Sequence, residues 1–226
     1  MPRTLALLLF LAPQLAAQES SVKPGINDPF KNPDLPGFVE KFEGESREIF
    51  AHRKAIVAAC KLTPGQTVAD IGAGTGLFTR LFAEQVGPKG KVFAVDITPK
   101  FLDHIRGTAK AANLTNIETV LCTDKSCELK PDSVDLAFIC DTYHHFEFPQ
   151  RTMATVHAAL KPGGRLVLID FKRIKGESSE WTMGHVRAGQ EVFEREVTES
   201  GFRKTGEVKG VLKDNYLVTF EKVPAK

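Results

Sequence analysis

The sequence predicts an α/β fold of three layers, with helices on both faces of a seven-stranded, mostly parallel sheet whose last strand is antiparallel. Three observations carry this expectation. Near-continuous apolar, β-branched runs such as Val92-Phe93-Ala94-Val95 and Val134-Asp135-Leu136-Ala137-Phe138-Ile139 alternate with amphipathic stretches, the pattern of a parallel sheet covered on both sides. The first run, Val68-Ala69-Asp70-Ile71, ends in Gly72-Ala73-Gly74-Thr75-Gly76, where three alternate glycines open the next amphipathic stretch. The last two runs, about 203–209 and 216–221, have no helix between them, and a short link joins strands antiparallel.

The elements follow in chain order. Arg3, the apolar run Leu5-Ala6-Leu7-Leu8-Leu9-Phe10-Leu11 and the small residues ending at Ala17 read as a secretory signal peptide over 1–17, cleaved near Ala17. The apolar run is too short for a stable membrane anchor. Export to the periplasm or medium is therefore expected, and a cytoplasmic location if residues 1–17 are not cleaved. Residues 18–37, rich in Pro, Asn and Asp, are expected as an extended, poorly ordered leader. A single domain then spans 38–226. Its residues 38–61 form an N-terminal helix carrying Phe42, Ile49, Phe50, Ile56 and Val57, stopped by Pro64-Gly65. The core, 62–221, starts with a strand at 67–71 and a helix at 77–86. Strand 92–96, helix 99–112 and strands 117–121 and 134–139 come next. Helix 149–160, the turn Lys161-Pro162-Gly163-Gly164 and strand 165–169 follow. Residues 174–185 form a loop whose Trp181 and Met183 either lid a pocket or cover the core. Helix 187–200 precedes the closing strand pair.

The chain has 226 residues, 42% hydrophobic and 26% charged, with a formal net charge of +2, ordinary for one soluble domain. No run of five basic residues occurs, so nucleic acid is not an expected partner. Cys60, Cys122, Cys127 and Cys140 form no C-x-x-C pair and fit no common zinc spacing. Free thiols and no metal are expected, with a Cys122–Cys127 bridge left open.

The glycine turn has the makings of a nucleotide cradle, because glycine tolerates positive φ and the helix start offers free N–H groups. A dinucleotide fingerprint needs a glycine where Leu77 stands, and no Gly-Lys-Ser/Thr follows. Asp96, twenty residues after Gly76 at a strand end, suits two ribose hydroxyls; it could also cap the following helix. Asp70 could hold the loop or receive an ammonium group.

Asp70-x-Gly72-x-Gly74-x-Gly76, Asp96 and Leu160-Lys161-Pro162-Gly163-Gly164 together resemble the class I S-adenosylmethionine-dependent methyltransferases over residues 62–221, most closely the small type 11, ubiquinone/menaquinone-biosynthesis-like subgroup. The resemblance implies a Rossmann-like fold, S-adenosyl-L-methionine as cofactor and methyl transfer to a small-molecule or lipid-like acceptor by direct displacement. It implies that Gly72, Ala73, Gly74 and Gly76 meet the amino-acid part of the cofactor, Asp96 the ribose, Ile97 the adenine and Asp124 the adenine amino group. It sets Asp141-Thr142-Tyr143-His144-His145-Phe146 beside the reacting methyl, with Asp141 at the cofactor. Tyr143, His144 and His145 are the catalytic candidates, as base, acceptor contact or pocket wall, with Asp170 and Lys172 as second choices. Arg47 or Arg53 could meet the cofactor carboxylate, or lie with Glu45 and His52 on a solvated face. His185-Val186-Arg187 matches a basic loop near the acceptor pocket. Two other functions fit the same features: an exported, non-catalytic nucleoside-binding protein, and an aminopropyl-transferring synthase. The second is disfavoured because Thr142 and Tyr143 stand where that family pairs acids.

Overall fold

In the computed structural model, residues 18–45 and 47–224 are described, so the signal segment 1–17 lies outside them. Seven strands form one sheet: β1 (Thr67–Ile71), β2 (Lys91–Asp96), β3 (Ile117–Leu121), β4 (Val134–Cys140), β5 (Leu160–Phe171), β6 (Phe202–Glu207) and β7 (Asn215–Lys222). Their order is β3-β2-β1-β4-β5-β7-β6. The strands β1 to β5 pair in parallel, while β7 runs antiparallel to both β5 and β6. The predicted mostly parallel, Rossmann-like sheet with an antiparallel close is therefore present. Five of the helices lie close to their expected ranges or follow from them: α4 (Leu77–Val86), α5 (Pro99–Ala111), α6 (Pro149–Ala159), α8 (Gln190–Glu199) and the last turn before β1 in α3 (Arg53–Ala59).

Alternation along β1 divides the core. Val68 joins Ile49, Ile56, Phe82 and Phe138 on one face. Ala69 and Ile71 join Met153, Val156, Phe193 and Val197 on the other. Both faces bury apolar side chains, the condition that lets a parallel sheet exist. Strand order reverses between β1 and β4, and ligands of open α/β sheets sit at the carboxyl ends of strands beside such a reversal.

Three expectations are corrected. The single helix over 38–61 is broken into α1 (Leu35–Glu43), α2 (Glu48–Ala51) and α3. Gly44 is extended (φ −80°, ψ 141°) and His52 leaves helical geometry at ψ 10°, so the chain turns twice. The leader is not loose extended chain: Asp28–Phe30 is a 3-10 turn, Ile26 is buried, and the Val22 N–H donates to Glu147 O at 2.9 Å. The loop over 174–185 contains α7 (Glu180–His185), started by the Ser179 side chain accepting from the Thr182 N–H. All four cysteines are free thiols. Among the described residues, no helix is long and apolar enough to cross a membrane.

Candidate functional site

The loop after β1 is shaped by glycine. Gly72, Gly74 and Gly76 have φ of +73°, +54° and +81°, where side chains are strained. A Cβ at Gly72 would stand 2.2 Å from Thr142 Cγ2, so Gly72 also lets the β1 and β4 ends approach. Two acids brace the loop. Asp70 accepts from the Thr79 hydroxyl at 2.6 Å, tying the strand end to α4. Asp96 accepts from the Gly74 N–H and the Thr98 N–H, both at 2.8 Å. It thus supports the glycine loop and closes an Asx turn just ahead of α5, whose N-cap, Thr98, makes no side-chain capping bond. Burial pushes the Asp70 carboxyl up to about 7, against the hydrogen bond from Thr79, and that of Asp96 up to about 6, against its backbone donors.

One cavity of about 840 Å³ opens from this loop, within the usual size of small-molecule and cofactor sites. Asp70, Gly72, Ala73, Gly74, Asp96, Ile97, Asp124, Asp141, His144 and His145 all line it. Ile97 is 39% exposed, an apolar side chain at the rim. The wall opposite the sheet comes from the leader and α1. Phe30, Phe38 and Phe42 form an aromatic set with Phe101 of α5, with ring centroids 5.2–6.4 Å apart. Asn27 Nδ2 donates to His145 O, pinning the leader to the far end.

That far end holds three histidines. His144 is 1% exposed; its Nδ1 lies 2.8 Å from Asp170 Oδ1, and its main-chain N–H donates to Asp170 Oδ2. A carboxylate only accepts, so Nδ1 is the donor toward Asp170, and Nε2 is the ring nitrogen left to other partners. His145 Nε2 lies 3.4 Å from His185 Nε2. Burial and the neighbouring imidazoles and lysines push His145 down to about 2 and His185 down to about 4. Trp181 stacks on His185 at 4.6 Å and is 49% exposed at the rim. Trp181 therefore lines the pocket mouth with Phe171 instead of covering the core.

Several expected residues sit elsewhere. Tyr143 is not a wall of the cavity. It is fully buried beneath it, with its ring 5.2 Å from Phe146 and 5.0 Å from Phe193. Tyr143, His144 and His145 form a 3-10 turn, whose successive side chains point about 120° apart; two reach the cavity and Tyr143 faces the core. Asp141 lines the cavity with both oxygens engaged, by Arg47 Nη2 at 2.7 Å and Asn215 Nδ2 at 2.6 Å. Burial raises its carboxyl and Arg47 opposes that. Arg47 lines the cavity and gives two of its five N–H groups to Asp141 and Phe42 O. Arg53 lies over Phe50, Lys172 reaches Leu212 O and Lys213 O, and Arg187 forks onto Glu196. Asp170 is the second-choice residue that the structure brings to His144.

Comparison with known proteins agrees with this geometry. The family model described as "Methyltransferase domain" matches residues 62–219. An arsenite methyltransferase of Halobacterium salinarum is 30% identical over 113 residues, 50% of this chain and 29% of that protein. A ubiquinone/menaquinone biosynthesis C-methyltransferase of Bordetella parapertussis is 28% identical over 118 residues, 52% of this chain and 45% of that protein. The matched segments thus span less than half the length of these curated relatives. A crystal structure of a SAM-dependent methyltransferase from Aquifex aeolicus shares the fold, with a TM-score of 0.75 at 22% identity, covering 85% of this chain and all of that one. With a glycine loop, a strand-end acid and a family match that runs from before β1 into β7, the chain belongs to the methyltransferase-domain family, of the S-adenosylmethionine-dependent kind.

Proposed function

We propose that the protein transfers the methyl group of S-adenosylmethionine to a small, largely apolar acceptor seated at the His144–His145 end of the cavity. One observation carries this reading: the glycine loop and Asp96 share a single cavity with the buried His144 and the half-buried His145. In this reading the donor's amino-acid part lies along Gly72–Thr75 and its ribose hydroxyls meet Asp96, while Gly76, outside the cavity lining, serves as the N-cap of α4. Ile97 faces the adenine, and Asp124 takes its amino group. The sulfonium is already a good leaving group, so most of the acceleration comes from aligning acceptor atom, methyl carbon and sulfur. Aromatic faces such as Phe42 favour the sulfonium charge. The acceptor's lone pair forms the new bond to carbon, and the carbon–sulfur pair leaves with sulfur as a neutral thioether.

The walls made by Phe30, Phe38, Phe171 and Trp181 favour an apolar or lipid-like acceptor over a highly charged one. The quinone-biosynthesis relative points to the same chemical class. Calorimetric titration with S-adenosylmethionine, its demethylated product and NAD tests the donor. Binding of both sulfur nucleosides but not NAD is expected, and Asp96→Ala should weaken it at least tenfold. Failure to bind either sulfur nucleoside overturns the reading. Donor binding with no labelled product from any metabolite extract would favour a non-catalytic nucleoside-binding role. Export through residues 1–17 belongs to the same proposal. Fractionation should find a shortened chain outside the cytoplasm, and a full-length cytoplasmic chain overturns it.

A further inference from the structure

We propose that His144, His145 and His185 form a tri-imidazole site for a zinc-class divalent metal ion, with its open position toward the acceptor. The assignment of that position to the acceptor rests on the methyl-transfer reading; the metal site itself does not. One ligand nitrogen from each ring lies within 4.8 Å of the others. His145 Nε2 and His185 Nε2 are 3.4 Å apart. Two nitrogens of a tetrahedral zinc centre, each at 2.0–2.1 Å from the ion, stand about 3.3–3.4 Å apart. That pair is already spaced as one edge of the tetrahedron.

The third ligand is prepared from behind. Asp170, fully buried, holds His144 Nδ1, the carboxylate–imidazole arrangement that orients metal-binding histidines and raises their basicity. His144 Nε2 is buried and has no partner among the described residues. An imidazole acceptor left bare in a dry site is costly, and an ion would satisfy it. Two ammonium groups oppose the ion: Lys23, bonded to Gly184 O and His185 O, and Lys41, 5.8 Å from the Trp181 ring. Asp170, bonded to His144, supplies a compensating negative charge.

Three neutral imidazoles with one open position are the donor set of a catalytic rather than a structural zinc site. All three rings line the cavity that the donor would share. An acceptor bearing an ionisable S–H or O–H would bind the ion through that atom and lose its proton to solvent, since a bound divalent cation lowers such a pKa. Its lone pair would then attack the methyl carbon while the carbon–sulfur bond breaks toward sulfur. A base would not be required, and the role of His144 becomes that of a ligand.

The test uses the tag-free full chain. Equilibrium dialysis against Zn²⁺ should give one ion per chain. Co²⁺ should give the intense visible absorption of a tetrahedral centre in place of the weak band of an octahedral one. His185→Ala and His145→Gln should each weaken Zn²⁺ binding at least tenfold, whereas His104→Ala, on the outer face of α5, should not. S-adenosylmethionine titrated into His185→Ala should bind as in the parent chain, which separates failure of the metal site from failure of the donor site. A stoichiometry far below one, an octahedral Co²⁺ spectrum, or Zn²⁺ affinity unchanged in both variants overturns the proposal. A simple N–H···N bond between His145 and His185 would then account for the contact.

Discussion

At Gly72 one methyl group decides whether the donor loop can form. The residue has φ +73°, and its missing Cβ would overlap the Thr142 side chain. Gly72→Ala should lose about 2–4 kcal/mol, from the left-handed backbone and the overlap together, read as a fall in the urea midpoint with S-adenosylmethionine binding lost alongside. An unchanged midpoint would mean that Thr142 can rotate away freely. Tyr143 leads to the opposite expectation. Among the described residues its hydroxyl has no hydrogen-bond partner, and the nearby Glu196 is engaged by Arg187. Tyr143→Phe should therefore leave methyl transfer within about twofold of the parent. A hundredfold loss would restore Tyr143 as a catalytic group. The contrast shows what a sequence can carry at this scale. Asp70, Gly72 and Asp96 are legible because backbone geometry at a strand end dictates their residue types. Tyr143 is not, because the direction of a side chain in a 3-10 turn depends on which way the turn is rolled against the sheet. His185 was placed near the acceptor pocket by resemblance alone, but its contact with His145 was hidden for another reason: forty residues separate the two, and only the placement of α7 brings them together.

Among the elements, the strands and α4 to α6 were legible because their apolar periodicity records which face they bury. The segment before β1 was not. Its apolar residues fit one amphipathic helix, yet the extended backbone at Gly44 turns α1 across the cavity mouth. There Phe38 and Phe42 face Phe101 instead of the sheet. The leader's composition of Pro, Asn and Asp suggested loose chain, but those residues also build turns, and Asn27 and Val22 fasten it to the segment after β4. This strap is held by aromatic pairs worth about 0.5–1.5 kcal/mol each, too few to contribute much to the sheet. Phe38→Ala should therefore weaken S-adenosylmethionine binding about tenfold while moving the melting temperature by only a few degrees. Limited proteolysis gives the same comparison in another form: saturating donor should slow cleavage at Lys31 and Lys41. Equal cleavage with and without donor would show that the strap does not close on it.

For the whole molecule, the two buried acids that brace the glycine loop make stability depend on pH. Asp70 and Asp96 titrate near 7 and 6 in the folded chain because they are buried, against about 3.9 for an exposed aspartate. Between those values the folded state holds protons that the unfolded chain has released. The stability they contribute is present below about pH 4 and is lost as pH rises through 6 to 7. For Asp70 alone the loss is on the order of 4 kcal/mol by pH 8; the Asp96 charge helps raise Asp70, so the effects of the two acids do not add. Asp70→Asn keeps an acceptor for the Thr79 hydroxyl and removes the titration. Urea midpoints without donor should fall from pH 5 to pH 8 more steeply in the parent chain than in Asp70→Asn. Donor affinity should run the other way in the parent chain. An ionised Asp96 is the better acceptor for ribose hydroxyls and an ionised Asp70 the better partner for an ammonium group, so binding should tighten between pH 5 and pH 8. If the parent and Asp70→Asn lose stability in parallel across that range, Asp70 is not the group that titrates. If affinity is flat while stability falls, the acids serve the loop and not the donor. Opposite slopes for stability and affinity are the expected signature of a loop that holds charges in a dry site for a ligand to use.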